Sequence, residues 1–333
     1  MIDPLVILTH PLPQEWIVTL EGHVRLVVGT EGFPGVSPEL LEYLPEAEGI
    51  LSLLTARMDG RLLDLAPKLR VVSNMAVGVD NIDIPYCTVR GIPVGHTPSV
   101  LTDATADLTM AILLSAARRL PESARDAREG RWGIWSPTGW LGADLRGATL
   151  GIVGMGKIGR AVATRAYGFG LRLVYADPAQ YPELDAAYSA LRIPFDELLQ
   201  TSDFVSLHCP LNESTRGLMD ASALKMMKPS AILINAARGP VVDSVALVHA
   251  LTEGWISAAA LDVTDPEPLP ATHPLFELEN CLIVPHIGSA TIGARRRMAE
   301  IACENLLAGL AGERLPHCFN PDCDDNKSGL PSR

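Results

Sequence analysis

Three ionisable side chains in the second half of the sequence each follow an apolar run with the length of a buried strand. They are Arg238, Glu267 and His286. Parallel strands place their ligand-facing groups at one edge of a sheet, so these residues are candidates for a shared site. An arginine there can bind a carboxylate or polarise a carbonyl, a histidine can give and take a proton, and a glutamate can orient that histidine and favour its charged form. Each residue taken singly has an ordinary structural explanation, but the three together suit hydride transfer to a keto acid.

A glycine-rich run indicates what would carry the hydride. The run Gly154-Met155-Gly156-Lys157-Ile158-Gly159 follows the apolar residues 148–153, and Asp177 comes eighteen residues after its last glycine. A strand, a tight glycine turn and a helix N-terminus present backbone N–H groups to a pyrophosphate, while the carboxylate accepts hydrogen bonds from ribose hydroxyls. We therefore predict a dinucleotide site.

The segments around these residues alternate between strand and helix patterns. Short apolar runs predict a first parallel sheet with strands at residues 5–8, 24–28, 49–54, 71–75 and 92–94. A second series predicts a six-stranded sheet at residues 149–153, 172–175, 204–208, 231–235, 257–262 and 282–284. A long helix is predicted over residues 99–120, stopped by Pro121, and a final amphipathic helix over residues 291–310.

This order predicts an α/β protein of two Rossmann-like domains, with doubly wound parallel sheets and a cleft between them. A length of 333 residues also favours two domains, because single domains cluster near roughly 100 to 150 residues. We assign residues 1–100 and 290–321 to a discontinuous substrate-binding (catalytic) domain, since the last helix can return to the first sheet. Residues 101–289 form the predicted NAD-binding domain, and residues 322–333 have the composition of a disordered tail.

Composition excludes several other classes of protein. The formal charge of −12 argues against an extended surface for nucleic acid or anionic membranes. The six cysteines show no metal-like spacing, so we expect reduced thiols, no bound metal and a cytoplasmic location. The sequence contains no signal-peptide pattern and no apolar stretch of about twenty residues that could span a membrane.

The motifs together resemble the D-isomer-specific 2-hydroxyacid dehydrogenases, and in particular their glyoxylate/hydroxypyruvate reductase branch. The similarity is carried by the glycine run at 154–159, Asn235-Ala236-Ala237-Arg238-Gly239, residues 262–268 and Pro285-His286-Ile287-Gly288, with support at 53–55, 74–83, 96–106 and 130–135. The resemblance implies a homodimeric, NAD(P)H-dependent enzyme that reduces glyoxylate or hydroxypyruvate to glycolate or D-glycerate.

The resemblance also implies roles for individual residues. His286 would donate the proton, Glu267 would be its partner, and Arg238 would bind the substrate. The implied substrate-binding set is Leu53, the backbone N–H groups of Val77 and Gly78, Arg238 and Trp135, the last reaching into a neighbouring subunit or simply packing at a dimer interface. The implied cofactor-binding set is Thr105, Gly154, Met155, Gly156, Lys157, Ile158, Gly159, Asp177, Pro178, Cys209, Pro210, Thr215, Ala236, Ala237, Asp262, His286 and Gly288, with Asp262 on the nicotinamide carboxamide.

Sequence differences from related enzymes reduce the number of activities that the resemblance allows. Phosphite-oxidising relatives carry a lysine where this chain has Val77, and formate dehydrogenases carry glutamine in place of Glu267, so both activities are disfavoured. The segment Thr264-Asp265-Pro266 replaces a loop that usually contains an aromatic residue, which bears on substrate fit. Two alternatives remain open. The chain could be a 2-hydroxyacid dehydrogenase with another substrate, or a dinucleotide-sensing corepressor, although its C-terminal tail is short for a corepressor.

The predicted cofactor is NADH rather than NADPH. The Asp177 carboxylate would repel a 2′-phosphate, and Pro178-Ala179-Gln180 supplies no compensating arginine.

Overall fold

The computed structural model describes residues 3–33 and 35–323, and its contacts divide the chain into two compact units. The first unit contains Met1–Leu101 and Thr291–Arg333, and the second contains Thr102–Ala290. The predicted tail at 322–333 lies outside the described residues except for Asp322 and Cys323.

All the sheet pairings between strands are parallel. The strands are β1 Leu5–Leu8, β2 Arg25–Val28, β3 Gly49–Ser52, β4 Val71–Asn74, β5 Val94–Gly95, β6 Thr149–Val153, β7 Arg172–Ala176, β8 Leu191–Arg192, β9 Phe204–Leu207, β10 Ile232–Asn235, β11 Ala258–Leu261 and β12 Cys281–Ile283. The α-helices are α1 Pro38–Leu41, α2 Gly60–Asp64, α3 Ile84–Val89, α4 Thr102–Ala117, α5 Leu120–Arg128, α6 Lys157–Gly168, α7 Pro182–Tyr188, α8 Phe195–Thr201, α9 Ala221–Met226, α10 Ser244–Thr252 and α11 Ile292–Ala311.

The first unit is a five-stranded sheet in the order β2-β1-β3-β4-β5. Its central strands β1, β3 and β4 are buried along their whole length, as expected for a parallel sheet covered on both faces. Helix α11 covers one face, and Gly309 allows it to come close, because a Cβ at this position would lie 2.5 Å from a Val71 methyl group. The C-terminal helix therefore completes the core of the first sheet.

The second unit is a seven-stranded sheet in the order β12-β11-β10-β9-β6-β7-β8. The chain builds outward from β6 in one direction through β7 and β8, then continues in the other direction from β9 to β12. The order therefore reverses between β6 and β9. Open parallel sheets bind ligands at the carboxyl ends of the strands beside such a reversal.

Two predicted features of the second unit are wrong. The sheet has a seventh strand, β8, whose residues Leu191 and Arg192 are both exposed, so no apolar run signals it. Pro121 does not stop the long helix either. Helix α4 ends at Ala117, and Pro121 lies in the first turn of α5, where a missing N–H costs no hydrogen bond.

Among the described residues, no helix is both long enough and apolar enough to cross a membrane.

Candidate active site

The three glycines after β6 each meet a different spatial requirement. Gly154 has φ +91°, and a Cβ on it would lie 2.5 Å from the Cys209 backbone N. A Cβ on Gly159 would lie 2.2 Å from the Gly154 carbonyl O, so this glycine lets α6 pack closely against the turn. A Cβ on Gly156 would meet nothing within 4 Å. A tight turn, an open approach and close helix packing are the three properties that a pyrophosphate-binding turn requires, so these residues fit a dinucleotide.

Asp177 follows β7 and is fixed against the same turn. Its Oδ2 accepts a hydrogen bond from the Met155 N–H at 2.7 Å, and its Oδ1 accepts one from the Ala179 N–H at 2.8 Å. The carboxylate is therefore held in place, and each oxygen keeps a further lone pair for an external donor.

An arginine that the sequence analysis missed lies beside Asp177. Arg192 donates from Nε to the Asp177 carbonyl at 2.8 Å and from Nη2 to the Pro178 carbonyl at 3.0 Å. Residues 178–180 themselves contain no arginine, but a cation reaches the same backbone from β8. A two-residue exposed strand left no signal in the sequence for this contact.

The other cofactor residues implied by the family lie in the segments that follow strands, on α4 or at the start of α6. Cys209 and Pro210 follow β9, where Thr215 Oγ1 donates to the Pro210 carbonyl at 2.6 Å. Ala236 and Ala237 follow β10 and are buried. Gly288 meets two further members of the set, because a Cβ on it would lie 2.9 Å from Asp262 Oδ2 and 3.3 Å from Thr105 Cγ2. Lys157 and Ile158 begin α6.

Glu267 and His286 form a hydrogen-bonded pair, with 2.5 Å between Glu267 Oε1 and His286 Nδ1. The side chains are 33% and 25% exposed, so both retain access to solvent. A carboxylate oxygen accepts, so Nδ1 carries the proton. Nε2 makes no hydrogen bond within the described part of the chain, and it is the atom available to a substrate.

Asp262 fixes the backbone turn that carries His286. Its Oδ1 accepts from the Ile287 N–H at 2.6 Å and its Oδ2 from the Gly288 N–H at 2.9 Å, while its carbonyl accepts from the His286 N–H at 2.9 Å. His286 has φ +50°, an uncommon conformation for a non-glycine residue that these contacts maintain. Burial raises the pKa of Asp262 above its usual value. Asp262 therefore positions the histidine, a role that the sequence analysis did not foresee.

Arg238 lies one residue before a very close backbone contact. A Cβ on Gly239 would lie 1.8 Å from the Thr264 carbonyl O, so the turn after β10 packs directly on the loop that leads to Glu267. Asn235 shapes this turn by donating to the Arg238 carbonyl at 2.9 Å and accepting from the Ala237 N–H at 3.0 Å. The three turns that carry Arg238, Glu267 and His286 are thus connected through backbone contacts within the second unit.

The remaining substrate-binding candidates lie outside the turns that carry Arg238, Glu267 and His286. Leu53, Val77 and Gly78 belong to the first unit, in the turns that follow β3 and β4. Trp135 belongs to the second unit and is 82% exposed, with no hydrogen bond or ring contact to another described residue. Across residues 3–33 and 35–323, no group of three or more histidine, cysteine or acidic side chains is arranged to hold a metal ion.

Comparison with known proteins supports the same interpretation. The sequence profile of the D-isomer specific 2-hydroxyacid dehydrogenase NAD binding domain matches residues 110–288. A glyoxylate reductase of Korarchaeum cryptofilum is 44% identical over 320 residues, which are 96% of each chain. A solved structure from Thermus thermophilus is 46% identical with a TM-score of 0.88, covering 95% of this chain and 99% of the other. The D-lactate dehydrogenase of Aquifex aeolicus, solved with NAD and lactic acid, is 27% identical with a TM-score of 0.86, covering 95% of this chain and 99% of the other.

The profile match covers more than half of the chain, and the relatives match it nearly end to end. These findings confirm the predicted family, the two-domain Rossmann-like fold and a nicotinamide dinucleotide as cofactor. The chain belongs to the D-isomer-specific 2-hydroxyacid dehydrogenase family, within its glyoxylate reductase branch, and is an NAD(P)-dependent dehydrogenase.

Proposed function

We propose that this enzyme reduces a small 2-keto acid, either glyoxylate to glycolate or hydroxypyruvate to D-glycerate. The observation that carries the proposal is the Glu267–His286 hydrogen bond, which leaves His286 Nε2 available to a substrate. Names of relatives support glyoxylate as a substrate, because a 44% identical protein of nearly equal length is a glyoxylate reductase.

The proposed roles combine the hydrogen bonds described above with the roles that the family resemblance implies. Bound reduced nicotinamide supplies the hydride. His286 donates a proton from Nε2 to the carbonyl oxygen as negative charge develops there, and Glu267 holds the Nδ1–H so that the ring keeps its orientation. Arg238 forms paired hydrogen bonds with the keto acid, which its planar guanidinium suits. The N–H groups of Val77 and Gly78 bind the substrate carboxylate.

The test is to remove each member of the acid–base pair. We expect His286→Asn to lower kcat by about 10²- to 10⁴-fold, the usual contribution of a positioned proton donor. Glu267→Gln should also lower kcat, because the neutral amide does not hold the ring as the carboxylate does. NADH affinity, measured by fluorescence titration, should stay near that of the parent enzyme in both variants.

A second histidine–glutamate pair provides the matched control. His249 and Glu253 are on the exposed surface of α10, with 3.9 Å between Nδ1 and Oε1. His249→Asn and Glu253→Gln should leave keto-acid reduction unchanged. Full activity in His286→Asn would show that the acid–base role has been assigned to the wrong residue.

NADH is proposed as the preferred cofactor. The Asp177 carboxylate, fixed by the Met155 and Ala179 N–H groups, would lie against a 2′-phosphate and repel it. Replacing the charge with Asp177→Asn should raise the NADPH to NADH ratio of kcat/KM by about tenfold, the effect of roughly 1.4 kcal/mol. In that background the cation of Arg192 should help NADPH, so adding Arg192→Ala should reverse part of the gain. A parent enzyme that uses NADPH as well as NADH would contradict the preference.

A homodimer and a cytoplasmic location are proposed as well. Large apolar side chains are exposed on and after α5, including Leu120 at 52%, Trp132 at 76% and Ile134 at 89%, which is typical of a surface covered by a partner. Cys87, Cys209, Cys281 and Cys303 are free thiols, which suits a reducing compartment. Sedimentation equilibrium of the parent enzyme checks the dimer, and a monomer at micromolar concentration would contradict it.

A further inference from the structure

The turn after β4 has an uneven pattern of backbone hydrogen bonds. The Val77 carbonyl accepts from His96 Nδ1 at 3.0 Å, and the Gly78 carbonyl accepts from Asn74 Nδ2 at 3.0 Å. The N–H groups of Val77 and Gly78 donate to no other residue within the described ranges. Two side chains thus hold the carbonyl side of the turn, while two successive N–H groups remain for an external acceptor. Successive N–H groups of this kind bind anions.

Asn74 can adopt only one amide orientation, because a buried network fixes it. Asn74 is fully buried, and its Oδ1 accepts from Ser52 Oγ at 2.9 Å. Its Nδ2 donates to Asn81 Oδ1 at 3.0 Å as well as to Gly78, and Asn81 in turn donates to the Ala56 carbonyl at 2.9 Å. The amide nitrogen therefore faces the turn. The same network connects the turn after β4 with the loop after β3.

His96 is fixed just as firmly from the opposite side. Its carbonyl accepts from Asn305 Nδ2 at 3.0 Å and its N–H donates to the His317 carbonyl at 3.1 Å. Its ring meets Phe319 edge to face, with 5.3 Å between the centroids. A carbonyl can only accept, so the Nδ1 that faces Val77 carries a proton. The imidazole is therefore a positioned donor to the turn.

We propose that His96 and Asn74 are positioning residues, which hold the Val77–Gly78 turn so that both N–H groups point at the substrate carboxylate. This inference rests on the proposed function. A peptide unit is planar, so fixing its carbonyl fixes the direction of the N–H of the next residue. Holding the Val77 carbonyl therefore orients the Gly78 N–H. The Val77 N–H shares its peptide plane with the Ala76 carbonyl, which accepts from the Thr97 N–H at 2.8 Å. Holding the Gly78 carbonyl limits rotation on the far side of the turn. Neither side chain needs to touch the substrate.

The test compares two substitutions of His96. His96→Phe keeps a ring against Phe319 but loses the donor, so the turn is released from one side. We expect the KM for glyoxylate and the Kd of oxalate, used as a dicarboxylate probe with NADH bound, to rise together by about fivefold, the effect of one ordinary hydrogen bond. The carboxylate takes no part in the chemistry, so kcat should change little. His96→Asn places an amide donor near the original Nδ1 and should restore most of the affinity.

Further variants separate positioning from stability. Asn320, in the same unit, also forms hydrogen bonds to the backbone, but not to this turn. It accepts from the Val94 N–H at 2.8 Å and donates to the Ile92 carbonyl at 3.1 Å. Asn320→Ala should lower the melting temperature without changing oxalate affinity. Asn74→Ser replaces the amide that donates to the Gly78 carbonyl with a shorter side chain, and it should weaken oxalate binding as His96→Phe does. If this buried variant does not fold, the comparison of His96→Phe with His96→Asn still tests the positioning role.

The outcomes distinguish this proposal from the proposed function. Unchanged oxalate and glyoxylate affinity in His96→Phe, in an enzyme that reduces glyoxylate, would overturn the positioning role and leave the function intact. A parent enzyme that reduces no keto acid, yet binds oxalate more tightly than His96→Phe, would overturn the function and support the turn as an anion site. Failure of His96→Asn to recover affinity would also count against the positioning role.

Discussion

Gly156→Ala should separate cofactor binding from protein stability. The Gly156 backbone has φ −67°, which alanine adopts readily, and a Cβ there would meet nothing within 4 Å. The protein itself therefore gives no reason for a glycine at this position. At the start of α6, unlike at its end, we infer that the reason is a ligand, because a pyrophosphate oxygen that accepts from a backbone N–H lies about 3 Å from that nitrogen. A methyl group needs about 3.5 to 4 Å to its neighbours and would compete for that space.

Gly156→Ala should affect protein stability and NADH binding in opposite directions. Gly→Ala at a compatible backbone conformation stabilises a protein by about 0.4 to 1 kcal/mol, so the melting temperature without cofactor should stay equal or rise. Crowding the pyrophosphate should cost about 2 kcal/mol of binding free energy, which is roughly a 30-fold increase in the Kd for NADH. Fluorescence titration measures the Kd, and thermal melting measures the stability.

Gly168→Ala is the matched control. Gly168 is the last residue of the same helix, α6, and a Cβ on it would also meet nothing within 4 Å. This variant should keep the NADH affinity of the parent. If Gly156→Ala and Gly168→Ala bind NADH equally well, the pyrophosphate does not approach this turn and the cofactor site has been misplaced.

Two further predictions concern the second unit. Gly239→Ala would put a Cβ 1.8 Å from the Thr264 carbonyl O, so the turn bearing Arg238 must move by about 1 Å. We expect kcat/KM to fall by about 100-fold while NADH still binds. Turnover equal to that of the parent enzyme would contradict this prediction. Burial lowers the pKa of His208 from 6.5 to about 4, so the folded state resists protonation. The free energy of unfolding should therefore fall by about 3 kcal/mol as the pH drops from 6.5 towards 4. Urea unfolding of the parent and of His208→Gln checks this, since the glutamine variant should lose less stability in acid; an equal loss would show that His208 is not responsible.

Features that depend on residues close together in the chain can be predicted from the amino-acid sequence. The glycine run at 154–159 and the apolar strand before it are adjacent in the chain, so their spacing alone predicts the strand, the turn and the helix. Alternating apolar runs likewise predict most strands of both sheets to within a residue or two, because a buried parallel strand needs a continuous apolar segment. Strand β8 was missed since it is short and exposed, and therefore carries no such signal.

Contacts between residues that are distant in the chain depend on the tertiary structure. Glu267 and His286 are nineteen residues apart, and their hydrogen bond depends on the pairing of β11 with β12. The contact of Arg192 with the Asp177 and Pro178 carbonyls depends likewise on β8 pairing beside β7. His96 reaches the Val77 carbonyl because β5 pairs with β4. The residue types indicate which chemistry is possible. Hydrogen bonds, however, form over about 3 Å, and only the packing of the sheets brings side chains from distant parts of the chain within that distance.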